Sequence, residues 1–111
     1  MCGIQFILAN TYDEASKEEA YVEFEEGMHS YLLTKEKDST NDFGLLLNLD
    51  MYGETILYKD EIHEMIGICE GIIDIYSKED KEQDIRRFAR DLKSLCMEAL
   101  QRKKHVFAIG D

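Results

Sequence analysis

Between Ile85 and Leu100 the apolar side chains Ile85, Phe88, Ala89, Leu92, Leu95, Cys96, Ala99 and Leu100 recur every three or four positions. That period lines them up along one side of an α-helix. A helix of this kind is held by tertiary packing of its apolar face, so the stripe commits the chain to a layered core. Asp80 with Gln83 makes a capping-box-like start, and Arg102, Lys103 and Lys104 suit the negative end of a helix dipole, so the helix is predicted over Asp80–Arg102.

A second amphipathic helix is predicted over Asp60–Tyr76, with Asp60 as N-cap. Ile62, Met65, Ile66, Cys69, Ile72, Ile73 and Tyr76 share one face, and Ile68 and Ile75 widen it toward a second layer. Gly67 and Gly71 sit four apart on this helix. Each costs ~1 kcal/mol relative to Ala, so they call for a packing reason: close approach of a strand or of the last helix, or a partner helix docked from outside.

The rest of the chain reads as strands and short connections. Gly3–Ala9 is an apolar run too brief for a core helix and fits a central strand. Asn10–Lys17 is polar and loop-like. Ala20, Val22 and Phe24 alternate with polar neighbours, as a half-buried strand does. A short helix is expected over Met28–Thr34 and a surface loop over Lys35–Asn41. Phe43–Leu49 fits a strand or a helical turn, and periodicity does not decide between them. Asp50–Gly53 reads as a turn, Glu54–Tyr58 as a strand, and His105–Ile109 as a terminal strand. The expected fold is therefore α+β in a single domain over 1–111. It has a small mixed or antiparallel sheet and three helices, the last two long and amphipathic, with the first and last strands paired at the sheet centre. The 111 residues suffice for one core without disulfides or metal.

Charge narrows the partners. The chain carries 24 acidic and 13 basic side chains, a net of −11, which repels nucleic acid and anionic lipid and attracts cationic proteins. Acidity also serves solubility. Residues 13–26 hold seven acids against one Lys, and residues 54–84 ten acids against three Lys. Residues 85–104 reverse this, and Arg86, Arg90 and Lys93 form a basic stripe expected to pair with the acidic segments around it. No stretch approaches the ~18–20 apolar residues of a membrane span. Met1–Asn10 lacks the basic start of a signal peptide. Three cysteines, two of them on apolar helix faces, fit a reduced, cytoplasmic protein.

Catalytic and metal signatures are sparse. His63-Glu64 begins like a zinc-protease helix, but Gly67 stands where the second histidine belongs, and His29, His63 and His105 lie on separate elements. No cofactor or metal is expected. Met1-Cys2-Gly3-Ile4 resembles the start of glutamine amidotransferases, where removal of Met exposes a Cys that uses its own amine as base. That match covers four residues, and no later segment resembles the substrate loops of that family. Partner recognition has better candidates. Asp50, Tyr52 and Glu54 place an aromatic among carboxylates in a turn, and Glu25-Glu26 and Asp60-Glu61 add paired acids.

The order of motifs also carries a resemblance. Glu19-Ala20-Tyr21-Val22-Glu23-Phe24 precedes Met28-His29, then Leu47-Asn48-Leu49-Asp50-Met51-Tyr52-Gly53-Glu54, two helices and a terminal Val106-Phe107-Ala108-Ile109-Gly110-Asp111. This pattern resembles small bacterial proteins of polymorphic-toxin loci, many of them immunity proteins, whose members often carry Pro where Met51 stands. The resemblance implies a non-enzymatic inhibitor that binds a cognate basic toxin, such as a nuclease, in the cytoplasm and covers its active site. Two alternatives remain: a regulatory or structural homo-oligomeric subunit, for instance a homodimer through the Gly67/Gly71 face, and an amidohydrolase acting through Cys2.

Overall fold

The structure is a computed structural model and describes residues 3–110. Four antiparallel strands form one sheet: β1 (Gly3–Ala9), β2 (Val22–Glu25), β3 (Glu54–Leu57) and β4 (His105–Gly110), in the order β2-β1-β4-β3. Five helices accompany it: α1 (Tyr12–Lys17), α2 (Glu26–Glu36), α3 (Gly44–Leu47), α4 (Lys59–Ile75) and α5 (Gln83–Arg102). The fold is α+β as expected, and the first and last strands do pair at the centre, Ile4 opposite Gly110 through Ala9 opposite His105.

One sheet face carries the main core. Ile4, Phe6, Leu8, Phe24, Leu57, Val106 and Ala108 meet Ile62, Met65, Cys69 and Ile72 of α4 and Phe88, Leu92, Cys96 and Ala99 of α5. The opposite face is covered in part by α1, whose Ala15 closes over Ile7, Ala9 and Phe107. Cover on both faces explains why β1 reads as a continuous apolar run rather than an alternating one.

Several boundaries depart from expectation. Asn10–Lys17 is not a loop throughout: Thr11 caps α1 by accepting the Glu14 N–H at 3.1 Å, with Asp13 and Glu14 in the positive first turn. The helix at Met28–Thr34 is longer and follows β2 directly, with Glu25 as its N-cap residue. Phe43–Leu49 resolves into the helical turn α3, with Phe43, Leu46 and Leu49 buried. Tyr58, not Asp60, caps α4, and the Tyr58 N–H donates to Glu61 Oε1 at 2.9 Å. Asp80–Glu82 forms a 3₁₀ turn ahead of α5. That helix closes on Lys103, whose φ of 56° is left-handed, and the Lys104 N–H reaches the Ala99 carbonyl at 2.9 Å.

Gly71 has its packing reason, though not from a strand or from α5. A Cβ there would lie 3.1 Å from the Phe43 ring. Gly67 has none: nothing lies within 4 Å of its Cβ position. Gly67→Ala is therefore expected to stabilise the fold by about 1 kcal/mol, while Gly71→Ala gains nothing because the added methyl strains Phe43. Thermal denaturation of the two variants checks the contrast. The basic stripe is largely consumed by the fold. Arg86 Nη1 donates to the Tyr76 and Glu79 carbonyls at 2.7 and 2.9 Å, clamping the α4–α5 connection. Lys93 pairs with Glu70 at 3.1 Å.

Candidate partner-binding surface

The recognition residues expected from sequence are distributed around the sheet rather than gathered. Tyr52 is 74% exposed, the most exposed of the large apolar or aromatic side chains among the described residues. Asp50 shapes its turn, accepting the Tyr52 N–H at 2.9 Å. Glu54 opens β3 beside it, opposite Ile109. Glu25 and Glu26 stand at the junction of β2 and α2, at the other sheet edge. Asp60 and Glu61 occupy the first turn of α4, past the far end of β3, and Glu61 is engaged in capping.

Strand register sorts these acids further. Glu23 lies opposite Gln5, Gln5 opposite Ile109, and Ile109 opposite Glu54, so the four share one row across the sheet. Phe24 and Val22 face the main core, which turns Glu23 and Glu25 to the opposite face together with Glu54. Three strand spacings of ~4.8 Å place Glu23 and Glu54 about 14 Å apart, with half-buried Gln5 and Ile109 between them. The structure thus brings Glu25 and Glu54 to one face with Glu23, and sets Asp60 and Glu61 apart.

A groove of about 960 Å³ runs between the β2 edge and the side of α5. From β2 and its approach come Tyr21, Val22, Glu23 and Glu25; from α2, Met28 and Tyr31. The far wall is the α5 flank Asp84–Arg87–Asp91–Ser94–Glu98, spaced three or four apart, with Ile85 and Leu95 below. Phe24 and Phe88 stack beneath the groove, ring centroids 4.7 Å apart and planes 13° apart. Tyr31 Oη donates to the buried Glu82 carboxylate at 2.7 Å, and this bond, followed by burial, pushes the phenol up to about 12. Tyr31 is therefore a fixed hydrogen-bond donor, which holds α2 against the start of α5.

The groove is acidic. Its five carboxylates face two cations, and both cations are engaged: Arg87 with Asp84 at 3.3 Å, Lys81 with Glu79 at 3.5 Å. Glu98 pairs with Arg102 at 2.9 Å. Among the described residues, Glu23, Glu25 and Asp91 have no ion partner. Of these, Glu25 was expected from the sequence, whereas Glu23 and Asp91 were not. The signal for Glu23 was available, since the alternation that turns Val22 and Phe24 inward turns Glu23 and Glu25 outward together.

Reactive groups lie elsewhere or are quenched. Cys69 and Cys96 are fully buried, and burial pushes both thiols up to about 12, so neither supplies thiolate near neutral pH. Cys2 lies outside the described residues. His29 is a core residue: its ring packs 5.1 Å from Phe24, and Nε2–H donates to the Leu47 carbonyl at 2.7 Å. Among the described residues no group of three His, Cys, Asp or Glu side chains is placed to hold a metal ion, and no helix is long and apolar enough to cross a membrane. Comparison with protein-family models, with curated proteins and with solved structures finds no match.

Proposed function

We propose that this chain is a protein-binding module, an immunity protein that neutralises a cognate bacterial toxin domain by direct binding in the cytoplasm. The observation that carries the reading is the acidic groove along the β2 edge: Glu23, Glu25 and Asp91 line it without ion partners, over an apolar floor that includes Val22 and Leu95. Carboxylates at the rim of an apolar cleft suit a basic protein surface, because charge speeds encounter while buried side chains hold the complex. A nuclease fits this description, since its active site must draw phosphates and is cationic for that reason. Glu54 continues the negative charge along the sheet face that Glu23 and Glu25 share.

Co-expression tests the proposal. The product of the adjacent reading frame is expected to arrest growth of a foreign host alone and to be harmless when this chain is made with it. Unrelieved toxicity at matched expression rejects the immunity reading.

A further inference from the structure

β2 is an outer strand whose sole sheet neighbour among the described residues is β1, so its other edge is unpaired. Such an edge offers alternate N–H and C=O groups without partners, a template for one more strand. Here that edge forms one wall of the groove and α5 forms the other. A fifth strand beside β2 would continue the sheet beneath α5. Its side chains on one face would meet Val22, Ile85 and Leu95, and those on the other would stand level with Glu23 and Glu25. The dimensions agree. From Asp84 to Glu98 the helix runs about 21 Å at ~1.5 Å per residue, the length of six or seven strand residues at ~3.3 Å each.

We propose that the groove seats an extended segment of a partner protein that adds to β2 as a fifth strand, with Lys or Arg at alternate positions facing Glu23 and Glu25 and apolar residues between them. This rests on the reading of the chain as a binder of basic proteins and specifies how the capture is made. The same carboxylates argue against a second copy as occupant. Antiparallel pairing of β2 with β2 would bring Glu23 and Glu25 of both copies against one another, and like charges directly opposite are destabilising. The edge is guarded against itself and open to a cationic strand.

The test uses the isotopically labelled full chain and two seven-residue peptides, one alternating lysine with valine and one alternating glutamate with valine. By NMR, the lysine peptide is expected to bind and to slow amide hydrogen exchange within Val22–Glu25, which side-chain docking alone does not do. The glutamate peptide is expected to bind at least about tenfold more weakly, both cross-strand charge pairs being replaced by repulsion. In Glu23→Lys/Glu25→Lys the preference is expected to invert. Should that variant fail to fold, Glu23→Gln/Glu25→Gln is expected to level the two peptides. Unchanged exchange in β2 at millimolar lysine peptide, equal binding of both peptides to the native chain, or a preference indifferent to the substitutions overturns the proposal. Failure here with growth rescue intact rejects strand addition and leaves the immunity reading standing. Success here without growth rescue does the reverse.

Discussion

Replacing Phe24 by alanine is expected to cost about 3–5 kcal/mol, the usual range for deleting a buried phenyl ring. Phe24 is fully buried, stacked on Phe88 and in contact with His29. It therefore loses its transfer free energy and an aromatic pair, and leaves a cavity between β2 and α5 that the sheet cannot collapse to fill. A domain of this size has roughly 5–15 kcal/mol in total, so the variant should lose about a fifth or more of its stability. The midpoint of thermal unfolding, followed by circular dichroism, should fall by about 15 °C or more. Tyr52→Ala is the control. Its side chain is three-quarters exposed, and stability should move by no more than about 0.5 kcal/mol. Equal behaviour of the two variants would mean that Phe24 is not the buried keystone beneath the groove.

The second large effect is expected at Gly110. Its N–H donates to the Gly53 carbonyl at 2.7 Å, which folds the Asp50–Gly53 turn over the end of β4. A Cβ on Gly110 would collide with the Met51 carbonyl and lie 2.8 Å from the Tyr52 nitrogen. Both obstacles are backbone, so no rotamer change relieves them. Gly110→Ala is expected to cost about 3 kcal/mol, the upper end of the range for overpacking. In that variant, amide exchange at Tyr52 and at position 110 should accelerate more than exchange in the α4–α5 core. If stability drops by less than 1 kcal/mol, the turn yields freely, and Tyr52 is not held in a fixed position for recognition.

How far the sequence disclosed this fold depended on how strongly each element was patterned. α4 and α5 were legible to within a few residues because each buries a long 3–4 stripe. β1 and β4 were legible as apolar runs because the sheet centre is covered on both faces. α1 was missed for the converse reason: it buries only Ala15, so its hydrophobic period is silent. Its one local signal was Thr11 three residues ahead of Glu14, a capping pattern in a polar stretch. The start of α4 shifted because Tyr58 with Glu61 satisfied the helix end before Asp60 was needed. The groove was the least legible feature. It arises where α5, distant in sequence, lies along the β2 edge, and no local pattern encodes that adjacency. The acids read from the sequence were real surface features, but their grouping needed the strand register, which joins Glu23 and Glu25 to Glu54 and leaves Asp60 and Glu61 aside.

Two consequences concern specificity. Of the basic stripe, Arg86 and Lys93 are engaged within the chain, so the free charge left for a partner is predominantly negative. The acids of the groove are also mixed with apolar side chains, so a complex of the proposed kind is expected to show a salt-dependent association rate and a slow dissociation.

The central claim, that this chain works by capturing a basic protein, is tested most directly by titrating it against the purified product of the adjacent reading frame in a calorimeter. At an ionic strength near 0.15 M, where exposed charges farther apart than about 8 Å are largely screened, the account predicts a one-to-one complex. Its Kd should be on the order of 1–100 nM, the range of standard-sized specific interfaces, and should weaken as salt is raised. No complex at protein concentrations of about 100 μM, a thousandfold above the weakest of those affinities, would contradict it.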